Sequence, residues 1–275
     1  MLDLYAVIGN PVSHSKSPAI HSAFALQTNQ TMEYTTLLAP IDGFKAAVEN
    51  FRQQGGRGLN VTVPFKLEAY QLSTRLTERA RIAQAVNTLK FEGNEISGDN
   101  TDGAGLVRDI ESNLLIPIAA KRVLLLGAGG AARGVILPLL QKEPALLAIA
   151  NRTINKAEIL QEQFIPYGKI VAGDFRQFSE EKFDIIINAT SASLHNELPD
   201  LPPHIFTHAE LAYDMMYNQE ALTPFLKFAQ QHGARQLADG IGMLVEQAAE
   251  SFFVWRNVKP LTKPVIAMLK STNKI

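Results

Sequence analysis

Residues 58–66 read GLNVTVPFK, where Leu59, Val61 and Val63 alternate with Asn60 and Thr62 before a proline and then Lys66. Such alternation is the period of a strand with one apolar and one polar face, so Asn60 and Thr62 share the polar face. Upstream, NPVSHSKSPAI sets Ser15 and Ser17 two residues apart, with Pro18 suited to the first helical position and Ser17 to the cap. Two hydroxyls at that spacing on an extended segment point the same way beside the positive end of a helix, which suits a small carboxylate. Downstream, AVNTL carries Asn87 and SGDNTDG offers Asp102 in a loop. Turn chemistry explains Asn87 and Asp102 singly. Together these serines, threonine, asparagines, lysine and aspartate suit a polyhydroxylated carboxylate.

A second constellation lies at 123–134, VLLLGAGGAARG, which puts Gly127, Gly129 and Ala132 on a dinucleotide-binding pattern, with Gly130 and Gly134 in addition. The first glycine permits a tight turn, the second lets backbone N–H groups approach a pyrophosphate, and the small third residue lets helix pack on strand. The helix N-terminus then faces the anion. The next strand, LLAIANRT, ends in Asn151, Arg152 and Thr153, with Lys156 one turn on and no acid among them. Free ribose hydroxyls call for an acid there and a 2'-phosphate for a cation, so Arg152, Lys156 and the Thr153 hydroxyl favour NADP.

Short apolar runs must position these groups: LYAVIG, GLNVTV, RVLLLG, LLAIAN, DIIINAT and ELAYDMM alternate with helical patterns. That alternation predicts an α/β chain of strand-helix-strand units with mainly parallel sheets. A turn cluster near Asp102-Gly103 opens a helix over 105–114 and marks a domain boundary. A helical stretch over 243–257 contains Phe252, Phe253 and Trp255, apolar surface that must dock on one of the domains. His204 and His208 stand four residues apart but follow two prolines and lack a third ligand, so no metal site is expected. His14 and His21 read as surface or core residues.

At 275 residues two domains are expected. A net charge of -1 with no basic stripe argues against nucleic acid, and the absence of cysteine excludes disulfides and thiolate chemistry. The start, MLDLYAV, has no basic segment and carries Asp3, unlike a secretory signal. The most apolar stretch, 123–140, is broken by glycines, Arg133 and Pro138, a poor membrane span. A cytoplasmic protein is expected.

In this order, VIGNPVSHSKSP, GLNVTVPFK, AVNTL, GDNTDG, GAGGAARG, NRTINKAE, NATS and DGIGMLVEQA resemble the shikimate dehydrogenase family over nearly the whole chain. The resemblance implies two α/β domains: a substrate-binding catalytic domain over 1–102, a Rossmann NADP-binding domain over 103–240, and helices over 241–275 returning to the first. It implies reversible NADPH-dependent reduction of 3-dehydroshikimate to shikimate, a step of aromatic amino-acid (chorismate) biosynthesis, by a monomer or homodimer. Carried over by position, Ser15 and Ser17 hold the substrate carboxylate, and Thr62, Lys66, Asn87, Asp102, Tyr217 and Gln247 line its hydroxyl side; Asn60 joins the substrate site only through the strand face it shares with Thr62, a place that serving the loop would also explain. Lys66 and Asp102 match the catalytic pair. For the cofactor, Gly127, Ala128, Gly129, Gly130 and Ala131 match the turn, Asn151, Arg152, Thr153 and Lys156 the phosphate site, Met215 and Gly240 the nicotinamide end, and Glu78 a further contact.

Two departures stand out: Gln219 follows Asn218 where many members have proline, and Ser193-Leu194 replace a glycine and methionine. Gln247 also reads as a plain helix-surface glutamine. A quinate/shikimate dehydrogenase of broader specificity, a non-catalytic sensor of shikimate or nucleotide, and a generic oxidoreductase of the folate-dehydrogenase kind are the alternatives. In the reduction, a donor must stabilise charge growing on the carbonyl oxygen and deliver a proton. An ammonium at Lys66 does both, oriented by Asp102.

Overall fold

A computed structural model describes residues 2–190, 192, 197–198, 200–218 and 221–271. The departures at Ser193-Leu194 and Gln219 lie outside the described residues. The chain divides into two compact units, Met1–Gly105 with Leu244–Met268, and Leu106–Met243 with Leu269–Ile275.

The first unit is built on β1 (Asp3–Gly9), β2 (Met32–Leu38), β3 (Gly56–Val61), β4 (Arg75–Leu76), β5 (Thr88–Glu92) and β6 (Glu95–Asp99), in the order β2-β1-β3-β5-β6-β4. Three pairings are parallel, and the β5–β6 hairpin adds antiparallel contacts on β3 and within itself, so the sheet is mixed. Helices α1 (Ser17–Gln27), α2 (Phe44–Gln53), α3 (Lys66–Leu72) and α4 (Glu78–Ala83) connect its strands, and α5 (Asp102–Arg108) comes after β6. β1 is apolar on both faces. Ala6 and Ile8 join Phe44, Val48, Leu59, Val61, Phe65 and Leu89 in one core, and Tyr5 and Val7 join Val12, Tyr34 and Trp255 in another. A strand covered on both sides needs the continuous apolar run that LYAVIG supplies.

The second unit carries β7 (Arg122–Leu126), α6 (Gly130–Leu140), β8 (Leu146–Ala150), α7 (Ile154–Phe164), β9 (Ile170–Gly173), β10 (Ile185–Asn188), β11 (Leu211–Asp214), α8 (Pro224–Gln231) and β12 (Gln236–Ala238). Its six strands are parallel in the order β12-β11-β10-β7-β8-β9. Strand order reverses between β7 and β10, and in doubly wound sheets ligands bind at such a crevice. Helix α9 (Ile241–Arg256) precedes α10 (Lys263–Ser271). The aromatic end of α9 docks on the first unit's sheet: Trp255 donates its indole N–H to the Leu89 carbonyl at 2.9 Å and packs on Tyr5 at 4.7 Å, while Phe252 meets Phe24 edge-on.

Candidate active site

β3 stops at Val61, and the chain reverses through a turn in which the Phe65 N–H donates to the Thr62 carbonyl at 3.0 Å. Phe65 is fully buried and stacks on Phe44 at 5.0 Å, which ties the turn to the core. Lys66 comes next as the first residue of α3, its side chain 14% exposed. Val63, expected on the buried face, is 49% exposed, because the strand has already ended and the turn takes it outward.

The Lys66 ammonium donates to Asp102 Oδ2, and the Asp102 side chain is 7% exposed. The other carboxylate oxygen accepts from the Asn87 amide at 2.8 Å. Asp102 is not in a loop as expected but opens α5, where the Asn100 side-chain oxygen accepts its backbone N–H at 3.2 Å. The Asn87 amide also lies within hydrogen-bond reach of Thr101 Oγ1 and of Gln247 Oε1, and its oxygen accepts from the Thr101 N–H at 2.8 Å. Gln247 is therefore a buried member of this set, not a helix-surface residue; its own amide donates to the Leu244 carbonyl at 2.8 Å.

Asn60 does not face water. β3 lies between β1 and β5, with α9 on the Asn60 side, so the residue is buried. Its oxygen accepts from the Tyr34 hydroxyl at 2.7 Å, and its amide faces the Asn87 carbonyl, Thr88 and Ser251, the last at 2.9 Å. Burial drives the Tyr34 hydroxyl well above its ordinary range, with the Ser17 hydroxyl beside it opposing. Thr62 remains half-buried just past β3. Ser15 stands in the turn before α1, where its hydroxyl accepts the Ser17 N–H at 3.2 Å. Ser17 is thus the first helical residue rather than the cap, which Lys16 occupies.

His21 is a core residue, stacked on Tyr34 at 4.1 Å. Burial pushes its imidazole down to about 3. Neither ring nitrogen meets a partner at hydrogen-bond geometry, although Asn60 lies close enough to oppose the shift weakly.

In the second unit, Gly127 leaves β7 at φ +108°, a conformation that side-chain-bearing residues rarely adopt. A Cβ there would also stand 3.2 Å from the Ala189 backbone. Ala128 is buried. Gly129 is exposed, with no atom within 4 Å of where its Cβ would be, so the turn is open to a ligand's approach. Gly130 and Ala131 begin α6, and Ala132, in its first turn, is buried. Asn151 donates to the Thr153 carbonyl at 2.8 Å, closing the turn into α7. Arg152, Thr153 and Lys156 are exposed there, and among the described residues no carboxylate pairs with either cation. An open glycine turn followed by unpaired cations and no acid fits a dinucleotide carrying a 2'-phosphate.

Gly240 sits where a Cβ would fall 2.1 Å from the Met215 carbonyl oxygen, so only glycine allows that approach. Half-buried Met215 and Tyr217 come after β11 in this second unit. Glu78 is exposed at the start of α4, in the first. Among the described residues no cluster of three or more histidines or acids is placed to hold a metal.

Sequence reasoning passed over several groups. Ser251, wholly buried on α9, meets Asn60, Thr88 and Thr101, and buried Asp214 takes hydrogen bonds from Asn188 and Thr223. Arg79 pairs with Asp99. No local pattern marks them, because their partners stand on other elements or in the loops between them.

Comparison with known proteins bears directly on this arrangement. Residues 7–89 match the shikimate dehydrogenase substrate binding domain, 110–196 the shikimate/quinate 5-dehydrogenase family, and 240–270 the shikimate 5'-dehydrogenase C-terminal domain. The shikimate dehydrogenase (NADP(+)) of Nitrosospira multiformis is 62% identical over 99% of this chain and 98% of its own. A crystal structure of an enzyme from Pseudomonas putida superposes with a TM-score of 0.90 at 50% identity, over 97% of this chain and 98% of the other. The shikimate 5-dehydrogenase of Thermus thermophilus, solved with NADP(H) and shikimate, gives 0.86 at 28% identity, over 99% and 100% of the chains. With relatives of such identity over its full length, and domain models matching both units, the chain belongs to the shikimate dehydrogenase family.

Proposed function

We propose that this protein catalyses the reversible, NADPH-dependent reduction of 3-dehydroshikimate to shikimate. The observation that carries the reading is the largely buried Lys66–Asp102 ion pair, with Asn87 held on the second carboxylate oxygen. When bound, NADPH supplies the hydride. Lys66, as an ammonium, donates to the carbonyl oxygen on which negative charge grows and passes it a proton. Asp102 accepts from Lys66 and aims its Nζ, and Asn87 keeps the carboxylate from rotating. In the oxidative direction the same lysine takes the hydroxyl proton back.

Ser15 and Ser17 receive the substrate carboxylate, and Thr62, Asn87, Tyr217 and Gln247 hold its hydroxyl side. Asn60, with its amide already committed to protein partners, supports the site from within the sheet. The turn 127–131 cradles the pyrophosphate, while Arg152, Thr153 and Lys156 take the 2'-phosphate and Asn151 shapes that turn. Met215 and Gly240 border the nicotinamide, and Glu78 is a further contact. The enzyme acts in the cytoplasm as a monomer or homodimer and binds no nucleic acid. Its lack of cysteine is compatible with a reducing compartment.

The test is a spectrophotometric assay of shikimate and quinate oxidation with NADP and NAD in parallel. Turnover confined to shikimate with NADP is expected. Equal turnover of quinate would make the enzyme a broader dehydrogenase, and no turnover with any pair would make it a sensor.

A further inference from the structure

Behind the Lys66–Asp102 pair lies a second ion pair. Arg79, the second residue of α4, sets its guanidinium on the Asp99 carboxylate as a fork, Nε to Oδ1 and one terminal nitrogen to Oδ2, each at 2.6 Å. The remaining terminal nitrogen donates to Glu250 on α9 at 3.2 Å. Asp99 Oδ1 also accepts from the Thr77 hydroxyl at 2.6 Å and from the Asn100 N–H at 2.7 Å. Burial by itself would raise the Asp99 carboxyl, but Arg79, Thr77 and the Asn100 N–H outweigh it and hold the group below the ordinary carboxylate range. Asp99 is therefore an anion tied down on every side.

Asp99 ends β6, and α5 opens shortly after it with Asp102. The Asp99 carbonyl accepts the Asn87 N–H at 3.0 Å, and Asn87 holds Asp102 Oδ1. Asn100, ordered by Asp99, accepts the Asp102 N–H and donates to the Ala85 carbonyl at 3.0 Å. Two hydrogen-bond routes to Asp102, one to its carboxylate and one to its backbone, thus start at Asp99.

We infer that Arg79 and Asp99 are positioning residues for the Lys66–Asp102 pair: their fork fixes the turn 99–102 from which Asp102 aims the lysine. The inference rests on the reaction proposed above. Neither residue touches substrate in this reading, so their removal acts on alignment, where small displacements cost rate.

The experiment compares wild type, Asp99→Asn, Arg79→Lys and Arg79→Gln, and the double variant Arg79→Gln/Asp99→Asn, in shikimate oxidation with NADP. Crystal structures of wild type and Asp99→Asn accompany the kinetics. Asp99→Asn and Arg79→Gln are expected to lose about tenfold to a hundredfold in kcat with the shikimate KM changed less than about threefold. Arg79→Lys, which keeps charge without the fork, should recover part of that loss. The double variant should be no slower than the slower single change, because both break one device. The crystal structures should show Asp102 displaced from Lys66 in the variant. An unchanged kcat in folded variants, a rise in KM alone, or multiplying losses in the double variant would overturn the inference. So would failure of both Asp99→Asn and Arg79→Lys to fold, which would make the pair a prop for stability. Absence of turnover in wild type would instead refute the reaction, while the crystal comparison would still report whether Asp99 places Asp102.

Discussion

In the first unit the chemistry-bearing groups are side chains that bind one another: Lys66 to Asp102, Asn87 to Asp102 and Gln247, Asn60 to Tyr34 and Ser251. In the second they are a backbone turn kept open at Gly129 and cations that meet no carboxylate among the described residues. A buried, mutually satisfied network fixes the direction of each group, since any member left unpaired would carry a desolvation cost. An exposed turn fixes little beyond backbone shape and sign of charge. The first arrangement suits proton transfer, which is sensitive to alignment; the second suits anchoring a large anion, which needs charge and room. Damage in the first should therefore appear in kcat and damage in the second in KM.

The sharpest way to break this contrast is Lys66→Ala. Loss of a general acid is expected to lower kcat by roughly a hundredfold to ten-thousandfold with little change in KM, read from steady-state shikimate oxidation. A KM effect alone would reduce Lys66 to a binding group and erase the difference between the two regions.

Asn87→Ala tests the same network one step back. Asp102 Oδ1 and the Thr101 N–H lose a buried partner. Stability should fall by roughly 1–3 kcal/mol and kcat by at least about tenfold. Denaturant unfolding beside kinetics separates the two losses.

Arg152→Ala probes the exposed side. The KM for NADP should rise about tenfold, kcat should hold, and the preference for NADP over NAD should shrink. Unchanged NADP affinity would show that Arg152 is only a solvated charge.

The smallest effect concerns His21, buried and neutral. Its folded value, about 3, lies below the ordinary 6.5, so the unfolded chain binds a proton that the folded one refuses. Stability is then complete above about pH 6.5 and drains away as pH falls toward 3, at about 1.4 kcal/mol per pH unit. His21→Phe keeps an aromatic ring against Tyr34 and should flatten that slope while costing nothing at pH 7. Urea titrations at pH 7 and pH 5 measure both, and equal slopes in the two proteins would assign the acid sensitivity elsewhere.

Local features were readable without any fold. LYAVIG, GLNVTV and the four apolar runs of the second unit are strands, because strand period and continuous apolar stretches are written residue by residue. The glycine turn was legible for a similar reason: the requirement at Gly127 is a backbone angle that glycine alone meets easily. The proline of GLNVTVPFK likewise lies just past the end of β3, although the helix that begins at Lys66 had no such signal.

What the pattern could not carry was which face of each element meets water. Asn60 and Thr62 share a parity in sequence, yet Asn60 is buried because β1, β5 and α9 surround it, and Ser251, one of its partners, stands 191 residues away. Partners on other elements likewise hid the environment of Gln247, the fork of Arg79 on Asp99, and the support of Asp214 by Thr223 and Asn188. Sequence alone determined β1, β3, β7, β8, β10 and β11, the glycine turn and the types of group available for chemistry, since these depend on local period and backbone freedom. Only the tertiary structure decided which polar groups are free and which are spent on one another, because burial is set by neighbours that the chain brings in from afar.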